Sequence, residues 1–472
     1  MADHGIMPLG THKPLFIRPR GLVGRWAASQ STKGLKLRQS FNASAQGDAT
    51  KAEELYAGRF ALKDETIFST PNTVFLGEQG SDIWQAHMMG LSWLKDFAAS
   101  NRKLHDQYAL RLLHYWYLGS AARSDIMQQS KAMTALAIDG AAIAKRLLSQ
   151  QQNEFFGLVK AHWQNLTMAK PANSEQAVDK ALAQFFAHAA FDNLPGKLSE
   201  PYSLFESHID RVILADGGHS SGETTKLVNT LNMALPLLQV EKPILPKALL
   251  EALYRGLRFL KMLARPDGTM SEISELAAHT TPPDLQAVTN FPDQALQSGF
   301  VRLEQKAALL LIKAKSVFKM EFSDSSQVIL LANIAEPPQD YPLVVSSCIQ
   351  GKGLTVSTNS LMRTTYLASD GQDLRVQDDF ASAQAAQTTL LVPAHIRLSR
   401  LQDSSTLMLV LPDMTVWHLR QKGGNFEIAS QSQHHIIAIR ATGKRLNWSL
   451  KKQVKTQRLN RRKPAVATEL LI

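Results

Sequence analysis

Ile213-Leu214-Ala215-Asp216-Gly217-Gly218-His219-Ser220-Ser221-Gly222-Glu223 is the stretch on which the reading of this chain turns. An acid, two glycines, a histidine and a second acid fall here within eight positions, a combination found nowhere else in the chain. Adjacent glycines break a helix, because they lose the most backbone entropy on ordering and tolerate positive φ. The chain therefore turns here, and His219 stands just before the next helix. Polar turns between helices often carry functional side chains. Asp-Gly-Gly is also a good turn in its own right, and His219 then serves only as a capping or hydrogen-bonded residue.

Amphipathic helices lie on both sides. From Asp82 to about Arg265 apolar residues recur at three/four spacing. Leu104, Tyr108, Leu112 and Tyr115 form one stripe, and Leu136, Ile143 and Leu147 another. Leu227, Leu231, Leu235 and Leu238 follow, then Leu249, Leu253, Leu257, Leu260 and Leu263. Each stripe must bury one face against its neighbours. Trp84, Trp93, Tyr115, Trp116, Tyr117 and Trp163 are concentrated in this half. Aromatics in a groove stack on sugar rings, but at helical spacing they read as core.

Beyond about Phe300 the period falls to two. Phe318, Met320 and Phe322 alternate with Lys319 and Glu321, and Thr415, Trp417 and Leu419 alternate with Val416 and His418. Short apolar runs at 328–332, 406–411 and 435–440 complete the pattern of an antiparallel sandwich. Pro282 and Pro283 stop the helical pattern and mark residues 277–298 as a linker. No internal repeat is strong enough to use. The expected organisation is a basic, loosely ordered arm (1–50), a helical domain (51–290), a β-sandwich domain (300–452) and a basic tail (453–472).

The totals agree with two or three domains in 472 residues, and 44% hydrophobic with 20% charged residues fits a globular chain. No run of about 18 apolar residues offers a membrane span. One cysteine, Cys348, excludes an intramolecular disulfide framework and a cysteine zinc site. It lies in a strand-like stretch and reads as a structural thiol. The formal charge of +11 favours anionic partners. Part of that excess lies at the ends, in Arg18, Arg20, Arg25, Lys33, Lys36 and Arg38, and in Lys451, Lys452, Lys455, Arg458, Arg461, Arg462 and Lys463. No nucleic-acid motif appears, so no nucleic-acid partner is expected. The first residues have no apolar core of a signal peptide.

A helical half, a β half and a central Asp-Gly-Gly-His turn together resemble the heparinase II/III family, in its alphaproteobacterial branch. The resemblance rests on pieces in order: Tyr56-Ala-Gly-Arg-Phe60, Trp93-Leu-Lys-Asp96, the 213–219 turn and the helix ending in Arg265-Pro-Asp-Gly268. Phe318-Lys-Met-Glu-Phe322, Leu354-Thr-Val356 and Trp417-His-Leu-Arg420 before Gly423-Gly424 complete it. It spans roughly residues 50–452. It implies an incomplete (α/α) toroid followed by an antiparallel β-sandwich, and β-elimination on an anionic, uronic-acid-containing polysaccharide. The zinc ligands of some relatives are not evident in this sequence, and no metal or other cofactor is expected. A degenerate relative that binds such a glycan without cleaving it is the alternative.

In that chemistry the proton on C5 is removed and the oxygen on C4 leaves. The site must neutralise the uronate carboxylate and supply a base and an acid. His219, which survives from the family's motif, and Lys226 are the candidate catalytic residues, and Asp216, Glu223 and Arg265 the candidate substrate-binding ones. The family's tyrosine position after the turn holds Lys226, and its β-domain histidine position holds Gly351. A lysine acts as a base where burial lowers its pKa by several units. On the other reading Lys226 is a solvent-facing helix residue. The family's usual setting implies the cell envelope or periplasm; the absence of a signal peptide keeps the cytoplasm open. Oligomeric state is not legible.

Overall fold

The computed structural model describes residues 34–38, 47–75, 79–120, 125–239, 245–278, 280–315, 317–334, 344–348, 351–357, 361–383 and 386–453. Most of the basic arm, and the tail beyond residue 453, lie outside the described residues. The chain divides into two compact units: Met1–Val212 with Thr230–Leu253, and Ile213–Asn229 with Tyr254–Ile472.

The first unit is helical. Its principal helices are Lys103–Ser120, Ile126–Ala135, Ser149–Met168 and Ser174–Ala190. Asp125 and Asn173 cap two of them by accepting the N–H of Gln128 and Gln176, which satisfies a donor each helix start leaves over. Trp84, Trp93, Trp116 and Trp163 are all buried, so the tryptophans are core and not a sugar platform. Part of the arm is ordered on this unit: Lys36–Leu37 pairs with Phe191–Asp192. Between Ile126–Ala135 and Ala141–Ala144 the helix widens to a π-turn, Leu136–Gly140. Such insertions are uncommon and often mark functional places.

The second unit carries two eight-stranded antiparallel sheets. One runs Val344–Cys348, Gly351–Ser357, Leu361–Ala368, Asp373–Phe380, Arg445–Lys452, Val416–Lys422, Thr406–Val410, Arg397–Arg400. The other runs Gly424–Ser430, His434–Ala441, Gln387–Pro393, Gln327–Ile334, Val317–Asp324, Ala308–Lys315, Phe300–Gln305, Gln294–Ala295. Period-two alternation turns Phe318, Met320 and Phe322 to the shared core with Trp417, Leu419, Trp448 and Leu450. The alternation read from sequence is thus the inner face of a sandwich. Cys348 lies on a strand, opposite Gly351.

One buried ion pair lies on the inner face of the first sheet, between neighbouring strands. Arg363 Nε and Nη2 donate to the two oxygens of Asp378 at 2.6 and 2.8 Å, and both side chains are essentially sealed from solvent. Thr388 Oγ1, on the other sheet, and Trp448 Nε1 also donate to Asp378 Oδ2. A charge pair removed from water is tolerated where further donors satisfy it.

Candidate functional site

The 213–219 segment is a tight hairpin in the second unit. Ile213 bridges His219, Leu214 N–H donates to Gly218 O at 2.8 Å, and Gly217 N–H donates to Leu214 O at 2.9 Å. Gly217 sits at φ +90°, which an L side chain rarely adopts. A Cβ on Gly217 would overlap the Arg255 carbonyl, and one on Gly218 would overlap the Ser298 hydroxyl. Both glycines are therefore set by close approach. Asp216 holds the turn: Oδ1 accepts from Gly218 N–H at 3.1 Å and Ser298 Oγ at 2.8 Å, and Oδ2 accepts from Ser298 N–H at 2.7 Å. The stretch read as a linker thus anchors the turn through Ser298.

His219 is buried, 3% exposed. Its Nδ1 accepts the Ser221 N–H at 3.1 Å and lies 2.8 Å from Ser221 Oγ. A backbone N–H only donates, so Nδ1 is bare and Nε2 carries the proton. In this tautomer Nε2 is a hydrogen-bond donor, suited to a carboxylate or a leaving oxygen. Ser221 Oγ in turn accepts the Glu223 N–H at 3.2 Å, leading into the helix Thr224–Ala234.

Lys226 Nζ lies 3.1 Å from Glu223 Oε1, both side chains being about half exposed. Arg265 Nε donates to Glu321 Oε1 at 2.8 Å, and Glu321 Oε2 accepts the Glu272 N–H at 2.6 Å. Burial raises the Glu321 carboxyl above its usual range, against the pull of Arg265. Arg265 Nη2 is buried with no hydrogen-bond partner among the described residues. The structure thus joins Asp216 to His219 through one turn and Glu223 to Lys226 through one ion pair, while Arg265 is held by its own carboxylate.

Arg265 opens a second hairpin of the same construction. Ala264 bridges Met270, Arg265 N–H donates to Thr269 O at 2.8 Å, and Gly268 N–H donates to Arg265 O at 2.9 Å. Gly268 has φ +86°, and Asp267 Oδ1 accepts the Thr269 N–H at 2.9 Å. A third copy joins two strands: Leu411 N–H donates to Thr415 O, Met414 N–H to Leu411 O, and Thr415 N–H to Asp413 Oδ1. The aspartate and the left-handed residue after it are what this turn requires. The position of His219 is filled by Met270 in the second copy, so the turn does not demand a histidine there.

Other perturbed groups lie in the helical unit. Burial pushes Asp139, on the π-turn, up to about 7, with Asp96 adding to the shift and Lys95 opposing it. A carboxyl titrating there has the basicity of a general base at neutral pH. Burial lowers His162 to about 4; its Nε2 meets Gln129 O at 2.9 Å. Burial, then Lys95 and Lys51, lowers His87 to about 4. Sequence reading missed Asp139 because a lone aspartate in a helical stripe looks like a solvated residue; its signal was the glycine beside it, Gly140, against Phe155. Among the described residues no three His, Cys, Asp or Glu side chains are grouped to hold a metal ion.

No family model matches the sequence. No curated protein matches it either. Solved structures do match its fold. A mutant of heparan sulfate lyase HepC from Pedobacter heparinus is similar with a TM-score of 0.61 and 10% identity, over 91% of this chain and 87% of that one. A heparinase III is similar with a TM-score of 0.62 and 10% identity, over 92% and 89%. A chondroitinase AC lyase, known in oligosaccharide complexes, is similar with a TM-score of 0.54 and 10% identity, over 92% and 83%. The fold class is an incomplete (α/α) toroid followed by an antiparallel β-sandwich. The chain has a polysaccharide lyase fold.

Proposed function

We propose that the protein is polysaccharide lyase-like and acts by β-elimination on an anionic, uronic-acid-containing polysaccharide. The observation that carries this reading is the likeness to heparinase III and chondroitinase AC lyase structures over about nine-tenths of this chain. Lys226, as a neutral amine, takes the C5 proton; the C5–H electron pair becomes the C4–C5 double bond as the C4–O bond breaks, and the departing oxygen takes the Nε2 proton of His219. Arg265 supplies positive charge to the uronate carboxylate, and Asp216 and Glu223 fix the turn and the lysine. Such fixed donors stabilise charge that develops in the transition state without reorganising.

A second reading, binding without cleavage, is favoured by one observation. Asp216, Lys226 and the Nε of Arg265 are each committed to partners within the chain. Elimination leaves a C4–C5 double bond conjugated to a carboxylate, which absorbs in the ultraviolet. Incubation with uronic-acid polysaccharides therefore separates the readings: absorbance rises for a lyase, while a binder retards the polymer without new absorbance. Where the polymer is part of the cell envelope, the protein belongs there or in the periplasm. Fractionation of the cells that make it tests that placement against the cytoplasm. No helix among the described residues is long and apolar enough to cross a membrane.

A further inference from the structure

The sandwich carries a polar groove of about 630 Å³ that shares no residue with the His219 turn. It lies across the outer face of the sheet containing Leu361–Ala368, Asp373–Phe380, Arg445–Lys452 and Val416–Lys422. Register aligns its side chains in two rows. One row is Thr364, Gln377, Asn447 and Lys422. The other is Tyr366, Arg375, Ser449 and Arg420. Val376, Trp448, Leu450 and Leu419 alternate with them and face the core, so both rows face outward. Four strands at a spacing of about 4.8 Å make the rows roughly 14 Å long, and the groove's volume is that of ordinary ligand sites.

The charges are unbalanced. Arg375 is paired with Asp373 at 2.6 Å. No ion pair engages the exposed side chains of Arg420 and Lys422 among the described residues. The carboxylate on the rim, Asp403, accepts from Thr406 N–H at 3.0 Å and Thr406 Oγ1 at 2.6 Å, and the Thr406 hydroxyl holds its carboxyl below the usual range. The floor between the cations is amide and hydroxyl, matching a ligand rich in hydroxyls. The aromatic Tyr366 has the Arg375 guanidinium over its ring at 5.8 Å, so it offers no open platform for a nucleobase.

We infer that this groove binds a segment of anionic polysaccharide, with Arg420 and Lys422 meeting carboxylate or sulfate groups and Gln377, Asn447 and Ser449 meeting hydroxyls. The choice of a saccharide rests on the function proposed above; the anion site rests on the groove. It would hold polymer to the sandwich whether or not cleavage occurs.

The test is titration of the full chain with heparan sulfate and with polygalacturonate, using neutral dextran and duplex DNA as comparators. The R420E/K422E variant should bind the anionic polysaccharides at least about tenfold more weakly, with a flatter salt dependence. Q377A/N447A should weaken binding a few-fold and leave the salt dependence unchanged. Unaltered affinity in R420E/K422E overturns the groove while leaving the elimination reading intact. Wild-type protein that binds neither polysaccharide, or binds DNA as tightly through the same two residues, also overturns it. Loss of binding in R420E/K422E, with no ultraviolet product from wild type, sustains the groove and removes elimination.

Discussion

The hairpins at 213–219 and 264–270 share one backbone and differ in surroundings. Each has an aspartate that accepts the N–H two residues on, and a glycine at φ near +90°. In the first, Gly217 and Gly218 lie against Arg255 and Ser298, and Asp216 reaches Ser298 82 residues away. In the second, nothing lies within 4 Å of a Cβ on Gly268, and Asp267 bonds mainly to its own turn. The difference teaches that Asp-Gly is turn chemistry in both places, that the first copy is also a packing joint, and that the turn itself does not require the histidine that follows it, which is held by Ser221.

Glycine substitutions press hardest on that contrast. Gly217→Ala and Gly218→Ala should each cost about 3 kcal/mol or more, combining overpacking with, at Gly217, positive-φ strain. Gly268→Ala should cost only about 1 kcal/mol, the strain alone. Equal losses in urea unfolding would break the contrast. Next in size, Asp216→Ala should cost about 2–3 kcal/mol, because it strips the Ser298 amide and hydroxyl of a charged acceptor. Asp267→Ala should cost about 1 kcal/mol by the same measurement.

Titration separates both turns from the π-turn. Asp139 is raised from 3.8 to about 7, so the native state holds a proton that the unfolded chain has released over that range. Its contribution is present below the lower value and is lost as pH rises through the upper one. Asp139→Asn should therefore gain stability relative to wild type between pH 4 and pH 8. His162, lowered to about 4, slopes the other way in both proteins and cancels in the difference. A flat difference in unfolding free energy would contradict the burial of this carboxyl. The smallest effect belongs to the third copy of the turn. Met414 occupies the left-handed position at φ +66°, and Met414→Gly should stabilise by about 0.5 kcal/mol in thermal unfolding.

Period-two alternation made the sandwich legible, because Phe318, Met320, Phe322, Trp417 and Leu419 fill one core. Leucine stripes made the helices legible in the same way. The turn at Asp216 was legible from its glycines, but its repetition was not. Leu214-Ala-Asp-Gly-Gly218, Arg265-Pro-Asp-Gly-Thr269 and Leu411-Pro-Asp-Met-Thr415 have only the aspartate in all three, although the last two also share proline and threonine, and the full likeness lies in dihedral angles and hydrogen bonds. The groove was hidden for another reason. Arg375, Arg420 and Asn447 are far apart in sequence and become neighbours only through strand register. Residues such as Asp139 were hidden because burial, which shifts their titration, is a property of packing and not of local pattern.

The most direct measurement is ultraviolet absorbance during incubation of wild type and His219→Ala with a panel of uronic-acid polysaccharides, alongside the melting temperature of both proteins. The account expects a rise with wild type that vanishes in His219→Ala while melting is little changed, since Met270 shows that the turn forms without a histidine. An equal rise in His219→Ala, or no rise on any polymer, would contradict it.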